Sequence, residues 1–351
     1  MSRFMRSTYE SLVAYVPGEQ PRDMAYIKLN TNESPYPPAP QVIEAVTKEQ
    51  LGLLRLYSDP TCMGLKEKLA ALHGIRPENI FISNGSDEAL NFIFMAYAEK
   101  GAAFADITYG FYPIYAKLHG ADAKVIPLEA DFTLDAKKYF GCEGLIVIAN
   151  PNAPTGLSIS LDEVESILKA NPDTVVAIDE AYVDFGGTSA LALMDRYENL
   201  LVVRTFSKSR NFAGGRLGYI MGSKELIADL EKLRCSTNPF NVDRLALLMG
   251  EATVDADAYY VEKCNEIIAT REKTAAQMQK LGLAVLPSQT NFLFIHAGSI
   301  GGEQMYLELK KRAILVRHFG APRTRDYVRV TIGTPAEMEA FTAAVKEILK
   351  G

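Results

Sequence analysis

The sequence predicts an α/β protein, with a mostly parallel central sheet in a large domain and a smaller α+β domain beside it. Three observations favour this class. Short apolar runs recur along the first two thirds of the chain, stretches with an apolar period near 3.6 residues lie between them, and polar residues directly follow several of the runs. Such runs are typical of buried parallel strands, and their alternation with helices predicts strand–helix–strand units.

The large domain is predicted to cover residues 31–245. The apolar run at 79–83 is a predicted strand, and the 3.6-residue period over 88–97 predicts the helix that follows it. The alternation continues with predicted strands at 144–149, 174–178 and 200–204 and a helix at 161–169. Ahead of these elements, residues 1–50 are rich in proline, which blocks long helices.

The pattern changes after about residue 223, and a smaller domain is predicted from residues 1–30 and 246–351, closing over the site. Its predicted elements are strands at 291–295, 314–316 and 328–332 and helices at 257–281, 303–312 and 335–349. Gly282 is suited to end the helix that precedes it, because glycine readily adopts the left-handed conformation found there.

Composition and charge exclude several classes of protein. The chain has 351 residues, 48% of them hydrophobic, with 37 Lys or Arg against 43 Asp or Glu and a net charge of −6. This balance indicates neither nucleic acid nor an anionic membrane as a partner, so any anion must be held by a local site. Four cysteines without a CxxC pair predict no metal site and a reducing compartment. With no signal-peptide pattern and no apolar run of 18 residues, we expect a cytoplasmic protein without a membrane span.

Lys208 is the most informative of the residues that follow predicted strands. It comes after an apolar strand and a Thr-Phe-Ser turn, where access to bulk water is restricted. Partial burial disfavours the ammonium form and lowers the pKa of a lysine, as attachment to an aldehyde requires. Taken alone, a surface lysine on a turn is the commoner interpretation, so the functional one depends on the neighbours of Lys208.

Hydroxyl and guanidinium groups near this lysine predict a phosphate site. Thr205 and Ser207 flank Lys208, and Arg216, eight residues beyond it, could form two parallel hydrogen bonds to a phosphate. Ser86 and Asp87 begin the helix after the first predicted strand, where free N–H groups and the helix dipole favour an anion. The alternative for these two residues is a helix cap, and an Asp87 carboxylate facing an anion would be unfavourable.

Three further side chains predict contacts to a flat heterocycle. Asp179 follows a buried strand, so its charge is compensated either by a structural ion pair or by a cationic ring. Tyr182 could hydrogen-bond a phenolate and Tyr109 could stack on the ring, although each could also be a packing residue. With Lys208 and the phosphate site, these groups match an aldehyde, a ring nitrogen, a ring hydroxyl, a flat face and a phosphate. Pyridoxal 5′-phosphate (PLP) combines all five.

A series of motifs then extends the pattern along nearly the whole chain. They are Asn30-Thr-Asn-Glu-Ser-Pro, Asn84-Gly-Ser-Asp-Glu88, Thr108-Tyr109, Asn150-Pro-Asn-Ala-Pro-Thr-Gly156, Asp179-Glu-Ala-Tyr182, Ser207-Lys208 with Arg216, and Arg329-Val-Thr-Ile-Gly333. In order and spacing they resemble the fold-type I, class I/II PLP-dependent aminotransferases, and most of all the branch that acts on histidinol phosphate. The resemblance implies the PLP-dependent transferase fold of type I.

The resemblance also implies roles for the residues that match. Lys208 would attach to the cofactor and move a proton, Asp179 would pair with the ring nitrogen, Tyr182 would bind the ring oxygen, and Tyr109 would stack on the ring. The residues implied to hold the cofactor phosphate are Ser86, Asp87, Thr205, Ser207 and Arg216. Tyr57 matches a tyrosine that reaches the phosphate of the neighbouring subunit, which implies a homodimer with shared sites.

Substrate recognition is implied by a second set of matches. Arg329 would clamp the substrate α-carboxylate, Arg317 would bind a substrate phosphate, and Tyr15 would lie in a segment that covers the substrate. Many members of the family have an asparagine that contacts the ring oxygen, where this chain has Ala153. Asn152 would take over that contact, or Tyr182 would make it alone.

The implied reaction converts L-histidinol phosphate and 2-oxoglutarate into imidazole acetol phosphate and L-glutamate, a step of histidine biosynthesis. The alternatives within PLP chemistry are an aminotransferase for aromatic or other amino acids and a decarboxylase of an amino-acid phosphate. A PLP-binding regulator would need an additional DNA-binding unit, for which about 30 residues ahead of the first motif leave no room. A nicotinamide-dependent dehydrogenase is disfavoured because no GxGxxG follows a predicted strand.

Overall fold

The structure is a computed structural model, and it describes residues 2–10, 12–16, 18–21 and 23–350. The strands, in chain order, are β1 (Ile27–Lys28), β2 (Ile80–Ser83), β3 (Ala102–Ala105), β4 (Ala123–Ile126), β5 (Leu145–Ala149), β6 (Val176–Asp179), β7 (Leu200–Thr205), β8 (Gly218–Gly222), β9 (Ala284–Val285), β10 (Phe292–His296), β11 (Ile314–Leu315), β12 (Arg317–His318) and β13 (Tyr327–Thr331).

The α-helices connect and cover these strands. They are α1 (Pro40–Glu44), α2 (Lys48–Gly52), α3 (Met63–His73), α4 (Gly85–Tyr97), α5 (Tyr112–His119), α6 (Leu161–Ala170), α7 (Lys224–Thr237), α8 (Arg244–Asp255), α9 (Asp257–Lys280), α10 (Gly302–Lys311) and α11 (Pro335–Ile348). Within the described ranges, we find no helix with the length and apolar character needed to cross a membrane.

The central sheet has the order β2-β8-β7-β6-β5-β3-β4. All neighbouring pairs are parallel except the two that involve β8, which runs antiparallel to both β2 and β7. The predicted mostly parallel sheet is therefore confirmed. Parallel order aligns the carboxyl ends of β5, β6 and β7 at one edge, where ligands bind in open α/β sheets.

The apolar runs form strands because both faces of this sheet are covered. In β5, Ile146 and Ile148 pack into one hydrophobic core, and Leu145 and Val147 pack into the core on the opposite face. Side chains that alternate across a strand must all be apolar when both faces are buried. A continuous apolar run, rather than alternation with polar residues, is the result.

A second, smaller sheet lies in the C-terminal part of the chain. Its order is β12-β13-β10-β9, all antiparallel, and β1 pairs in parallel with β11 beside it. Its core includes buried residues of α9, α10 and α11. The division with a boundary at 245/246 stays a prediction, and α8 packs its Leu247 and Val254 into a core of the larger sheet.

Candidate active site

A cavity of about 330 Å³, named here the inner cavity, lies at the carboxyl ends of β5, β6 and β7. It is lined by most of the residues that the sequence singled out. These are Ser86, Asp87, Tyr109, Asp179, Tyr182, Thr205, Ser207, Lys208 and Arg216. Thr31, Glu33 and Ala153 are among the further lining residues. The structure thus brings together side chains from positions 31 to 216, as parallel strand order predicts.

Asp179, the last residue of β6, is a buried carboxylate at the base of the inner cavity. Its Oδ2 accepts a hydrogen bond from the Tyr112 hydroxyl at 2.8 Å, and its Oδ1 accepts one from the Ala181 N–H at 3.1 Å. Burial raises the pKa of Asp179 to about 6 despite these two donors. Because burial destabilises the carboxylate, a cationic group in the cavity would find a strong partner here.

Tyr182 presents its hydroxyl to the same cavity. The hydroxyl accepts a hydrogen bond from Nδ2 of Asn32 at 2.9 Å. Asn32 itself has a φ of +57° and is held by the Thr331 hydroxyl, which donates to Asn32 Oδ1 and accepts from the Asn32 N–H. Burial raises the pKa of Tyr182, so the hydroxyl keeps its proton at neutral pH and can donate it to an oxyanion.

Lys208 lies on the turn that follows β7. Its Nζ donates a hydrogen bond to the Thr31 carbonyl oxygen at 3.3 Å and lies 6.0 Å from the centre of the Tyr182 ring. Burial and, to a lesser extent, the charge of Arg329 lower the pKa of Lys208 to about 8. A substantial fraction of this amine is therefore neutral near physiological pH and able to attack an aldehyde.

An anion cradle forms where α4 begins. Gly85 has a φ of +76°, and a Cβ on it would lie 2.6 Å from Nη2 of Arg216, so the glycine lets the guanidinium lie against the first turn of the helix. A Cβ on Gly218 would lie 2.6 Å from the backbone nitrogen of Ser86. The hydroxyl of Thr205 accepts from the N–H of Ser207 at 3.1 Å. Helix N–H groups, hydroxyls and a guanidinium are the donors that a phosphate requires.

Two neighbouring side chains bind the Asp87 carboxylate, so its charge is compensated and does not oppose an anion in the cradle. Its Oδ1 accepts from the Tyr109 hydroxyl at 2.6 Å, and its Oδ2 lies 3.1 Å from Nη2 of Arg216. The backbone of Asp87 stays available to an anion at the start of α4. Tyr109 lies with its ring edge-on to Tyr112 and lines the inner cavity.

Asn152 is not brought to the inner cavity, contrary to its predicted contact with a cofactor ring. Its Oδ1 accepts from the Thr108 hydroxyl, and its Nδ2 donates to the carbonyl of Ile107 and the hydroxyl of Thr155, all at 2.9 Å. The amide lines a neighbouring cavity of about 130 Å³. Ala153 lines the inner cavity instead, together with Tyr182.

A wider space of about 540 Å³, the outer cavity, adjoins the inner one and shares Tyr109, Ala153, Tyr182 and Lys208 with it. Tyr15, Arg317 and Arg329, the three residues predicted to bind substrate, line this space. The ring of Tyr15 lies 4.4 Å from that of Phe111, centre to centre, at the side of the cavity.

Arg329 is a half-buried cation in the wall of the outer cavity. Its Nη2 donates to the Asn30 carbonyl at 3.1 Å, and its Nε, which is buried, has no hydrogen-bond partner among the described residues. Phe292 and Phe319 lie under the guanidinium, at 5.3 and 5.5 Å from it. Burial lowers the pKa of Arg329 from its ordinary value. An anionic ligand would supply the missing partner.

Tyr57 lies apart from both cavities of its own chain. Its side chain is 77% exposed and stacks on Phe240, with 4.4 Å between ring centres. Other large apolar side chains near it in sequence are also exposed, namely Ile43, Leu51, Leu54 and Leu56. Exposed apolar side chains in this number are of the kind found at surfaces where proteins interact.

Two residues that bind predicted site residues were not themselves predicted. Tyr112 binds Asp179, and Asn32 binds Tyr182. The sequence did contain a signal for Asn32, because this residue lies in the motif at 30–35. Tyr112 lies close to a predicted residue, three positions after Tyr109. Each acts through a contact to a residue that the sequence did single out.

Comparison with known proteins agrees with this geometry. The family model described as aminotransferase class I and II matches residues 25–345. Histidinol-phosphate aminotransferases of Marinomonas sp. and Clostridium acetobutylicum are 50% and 47% identical to this chain, each over 99% of it and 100% of the relative. The crystal structure of histidinol-phosphate aminotransferase from Sinorhizobium meliloti with pyridoxal-5′-phosphate is 26% identical, with a TM-score of 0.82 over 93% of this chain and 91% of that one. The predicted family and fold type are confirmed: the chain belongs to the class I and II aminotransferases.

Proposed function

We propose that this protein is a PLP-dependent aminotransferase that interconverts L-histidinol phosphate and 2-oxoglutarate with imidazole acetol phosphate and L-glutamate. The observation that carries the proposal is the arrangement of Lys208, Asp179 and the α4 cradle around one cavity. An amine with a lowered pKa, a buried carboxylate and a phosphate site face the same space. The full-length relatives named for histidinol phosphate support the choice of substrate.

The residues of the inner cavity fit PLP group by group. Asp179 pairs with the ring nitrogen, which relieves the carboxylate that burial otherwise disfavours. Tyr182 donates to the ring oxygen, and Tyr109 lies against the ring face. The phosphate is held by the backbone of Ser86 and Asp87 and by Thr205, Ser207 and Arg216. A Cβ on Gly85 would displace the guanidinium of Arg216, one of the groups that would hold that phosphate.

When bound, PLP supplies an aldehyde carbon for the amino group and a ring that absorbs the electrons of a carbanion. The chain's own groups handle the protons. Asp179 keeps the ring nitrogen protonated, because a buried carboxylate is most stable beside a cation. The amine of Lys208, neutral in substantial fraction near pH 8, would take the proton from the α-carbon of the amino donor and deliver it to the carbon that was the cofactor aldehyde.

Arg329 and Arg317 recognise the anionic group of each substrate. L-Glutamate carries a carboxylate on the reacting carbon, whereas L-histidinol phosphate carries a phosphate one carbon away and has no carboxylate. Arg329, whose Nε lacks a partner in the described structure, binds both anions. Arg317 adds a second positive charge, which favours the dianion. Tyr15 and its segment cover the substrate from the side of Phe111.

The protein acts as a homodimer in this proposal. Tyr57 and the exposed apolar residues around it form the contact surface, and Tyr57 reaches the cofactor phosphate of the partner subunit. Burial of this apolar surface supplies the free energy of association. The smaller domain, predicted from residues 1–30 and 246–351, closes over the site and supplies Arg329. A cytoplasmic location stays a prediction.

The proposal is tested by borohydride reduction of the PLP-loaded protein. Reduction fixes the cofactor on Lys208, and the modified peptide is identified by mass. The Lys208→Ala protein gains no such mass, whereas Lys169→Ala, which removes an exposed lysine, gains it as the wild type does. An unmodified Lys208 in the reduced wild type would refute the assignment.

The substrate is tested by mixing the PLP form with single amino donors and following the loss of its colour. We expect histidinol phosphate to react faster than phenylalanine, and equal rates would overturn the substrate assignment. Release of CO2 without a need for an oxo acid would instead indicate the decarboxylase.

A further inference from the structure

A group of four side chains behind the inner cavity ties together the two segments that carry the cofactor-binding residues. The group, named here the rear clamp, consists of Glu180, Asp184, Arg204 and Ser209. Nε of Arg204 lies 2.9 Å from Oε2 of Glu180, and its Nη1 donates to Oδ1 of Asp184 at 2.8 Å. The Ser209 hydroxyl donates to Oδ2 of Asp184 at 2.5 Å.

The clamp residues lie among the cavity-lining residues along both segments. At the end of β6 and just after it, Asp179 and Tyr182 line the inner cavity, and Glu180 and Asp184 bind the rear clamp partners. In and after β7, Thr205, Ser207 and Lys208 line the cavity and are flanked by Arg204 and Ser209. Because β6 and β7 are parallel neighbours, the two segments leave the sheet side by side.

Asp184 holds both ends of the turn on which Lys208 lies. One of its oxygens binds Arg204, four residues before Lys208, and the other binds Ser209, directly after it. Ser209 is buried, whereas the Asp184 side chain is 35% exposed. Desolvation alone would raise the pKa of Asp184. The charges of Arg204 and Arg210 and the hydrogen bond from the Ser209 hydroxyl nevertheless hold this pKa below its ordinary value. The carboxylate is therefore charged at neutral pH and bound on both oxygens.

A gain in folding stability alone does not explain well why the chain buries these charged groups. The side chains of Glu180 and Arg204 are 0% and 9% exposed, so both charges are desolvated. Burying an ion pair costs desolvation that its attraction repays only in part, and apolar replacements are often as stable. A charged clamp fixes the orientation of the groups it joins, because hydrogen bonds are directional. Apolar packing would leave the same groups free to adjust.

We propose that Asp184, through Ser209, is a positioning residue that holds Lys208 toward Asp179 and Tyr182. The inference rests on the function proposed above. The charged and titratable groups that face Lys208 are Glu33, Asp87, Tyr182, Arg216 and Arg329. The clamp keeps the amine in that environment, away from bulk water. When the clamp is opened, the turn relaxes, the amine gains water and its pKa rises.

The test compares two variants that each remove one hydroxyl bound to a clamp carboxylate. Ser209→Ala removes the bond to Asp184, and Ser189→Ala removes a 2.7 Å bond to Glu180 that lies outside the Lys208 turn. The measurement is the rate at which the full-length, cofactor-free protein captures added PLP, recorded as absorbance over a range of pH. Thermal unfolding is recorded in parallel.

We expect Ser209→Ala to slow capture at neutral pH by about tenfold and to move the pH midpoint of capture upward from about 8. Ser189→Ala should unfold at a lower temperature yet capture PLP like the wild type. Asp184→Asn should behave as Ser209→Ala does. Equal capture rates and midpoints for the two serine variants would overturn the inference and leave the clamp a structural feature. A wild type that fails to capture PLP would instead refute the proposed function.

Discussion

Arg317 and Arg329 lie directly opposite each other on the antiparallel strands β12 and β13. Like charges at such a cross-strand position destabilise a sheet. Burial, with the charge of Arg317 in addition, lowers the pKa of Arg329. The ring of Phe319 lies within 5.7 Å of both guanidinium groups. The pair is therefore an arrangement that an incoming anion stabilises.

Replacing Arg317 should change the KM values of the two substrates to different extents. A phosphate dianion gains from both guanidinium groups, whereas a carboxylate is satisfied by Arg329. In Arg317→Met we expect the KM for histidinol phosphate to rise by about tenfold or more and the KM for glutamate to change by less than about threefold. Arg329→Lys should raise both. The control is Arg325→Met, which removes a 68% exposed arginine of the same region, and equal effects on both substrates in Arg317→Met would contradict the assignment.

The raised pKa of Asp179 predicts how stability depends on pH. The folded carboxyl has a pKa of about 6 against an ordinary value of 3.8, so between these values the folded state binds more protons than the unfolded state. The free energy of unfolding of the cofactor-free wild type, relative to Asp179→Asn, should fall by about 3 kcal/mol as the pH rises through this window. Denaturant titrations from pH 4 to 7 measure it.

Loading with PLP should remove this pH-dependent fall in the free energy of unfolding, because the cationic ring nitrogen would pair with the Asp179 carboxylate. Tyr112→Phe should raise the pKa of Asp179 further, since it deletes the hydroxyl that donates to Oδ2. A difference between wild type and Asp179→Asn that is independent of pH would show that this carboxyl is not perturbed.

Gly85 should prove necessary for phosphate binding rather than for folding. In Gly85→Ala the new Cβ would meet the far end of the Arg216 side chain, which can move away from α4. We expect a loss of stability of about 1 kcal/mol from the positive φ and a rise of about tenfold or more in the PLP dissociation constant. Gly74→Ala is the matched control, because Gly74 also has a positive φ but no atom within 4 Å of its Cβ position. Equal PLP affinities in the two variants would contradict the role of the cradle.

The proposed homodimer with shared sites predicts complementation between two defective subunits. Tyr57→Ala and Lys208→Ala should each lack activity as homodimers. When the two proteins are mixed and allowed to exchange subunits, half of the dimers carry one site with both native residues, so about a quarter of the wild-type activity should return. Gel filtration checks that each variant is a dimer. No recovery of activity in mixed dimers would place Tyr57 outside the partner's site.

The sequence predicted the sheet and the site where the signals are local. A strand buried on both faces is a continuous apolar run, and the polar residue that ends it, such as Asp179, is visible without its partners. β3, with the sequence Ala-Ala-Phe-Ala, and β8, which begins and ends with glycine, lack that signal. Gly218 is in β8 because the start of α4 passes too close for a side chain.

Local sequence patterns could not predict the contacts that complete the site, because these contacts join residues far apart in the chain. Tyr112 and Asp179 are 67 residues apart, and Asn32 and Tyr182 are 150 residues apart. The position of Asn152 outside the inner cavity has a related reason. Its position beside Ala153 suggested a cavity contact, but three hydrogen bonds within its own surroundings direct the amide elsewhere.

β1 pairs in parallel with β11 beside the smaller sheet, and the Leu29 carbonyl that follows β1 accepts a hydrogen bond from the Thr331 N–H of β13, which attaches this segment to the smaller sheet. A hydrogen bond from the Thr331 hydroxyl extends that attachment to Asn32, two residues along the chain from the Asn30 carbonyl that Arg329 binds. Asn32 and Arg329 would therefore travel together in any rotation of the smaller sheet. Such a rotation would change the hydrogen bond on Tyr182 and the position of the anion-binding guanidinium in a single movement.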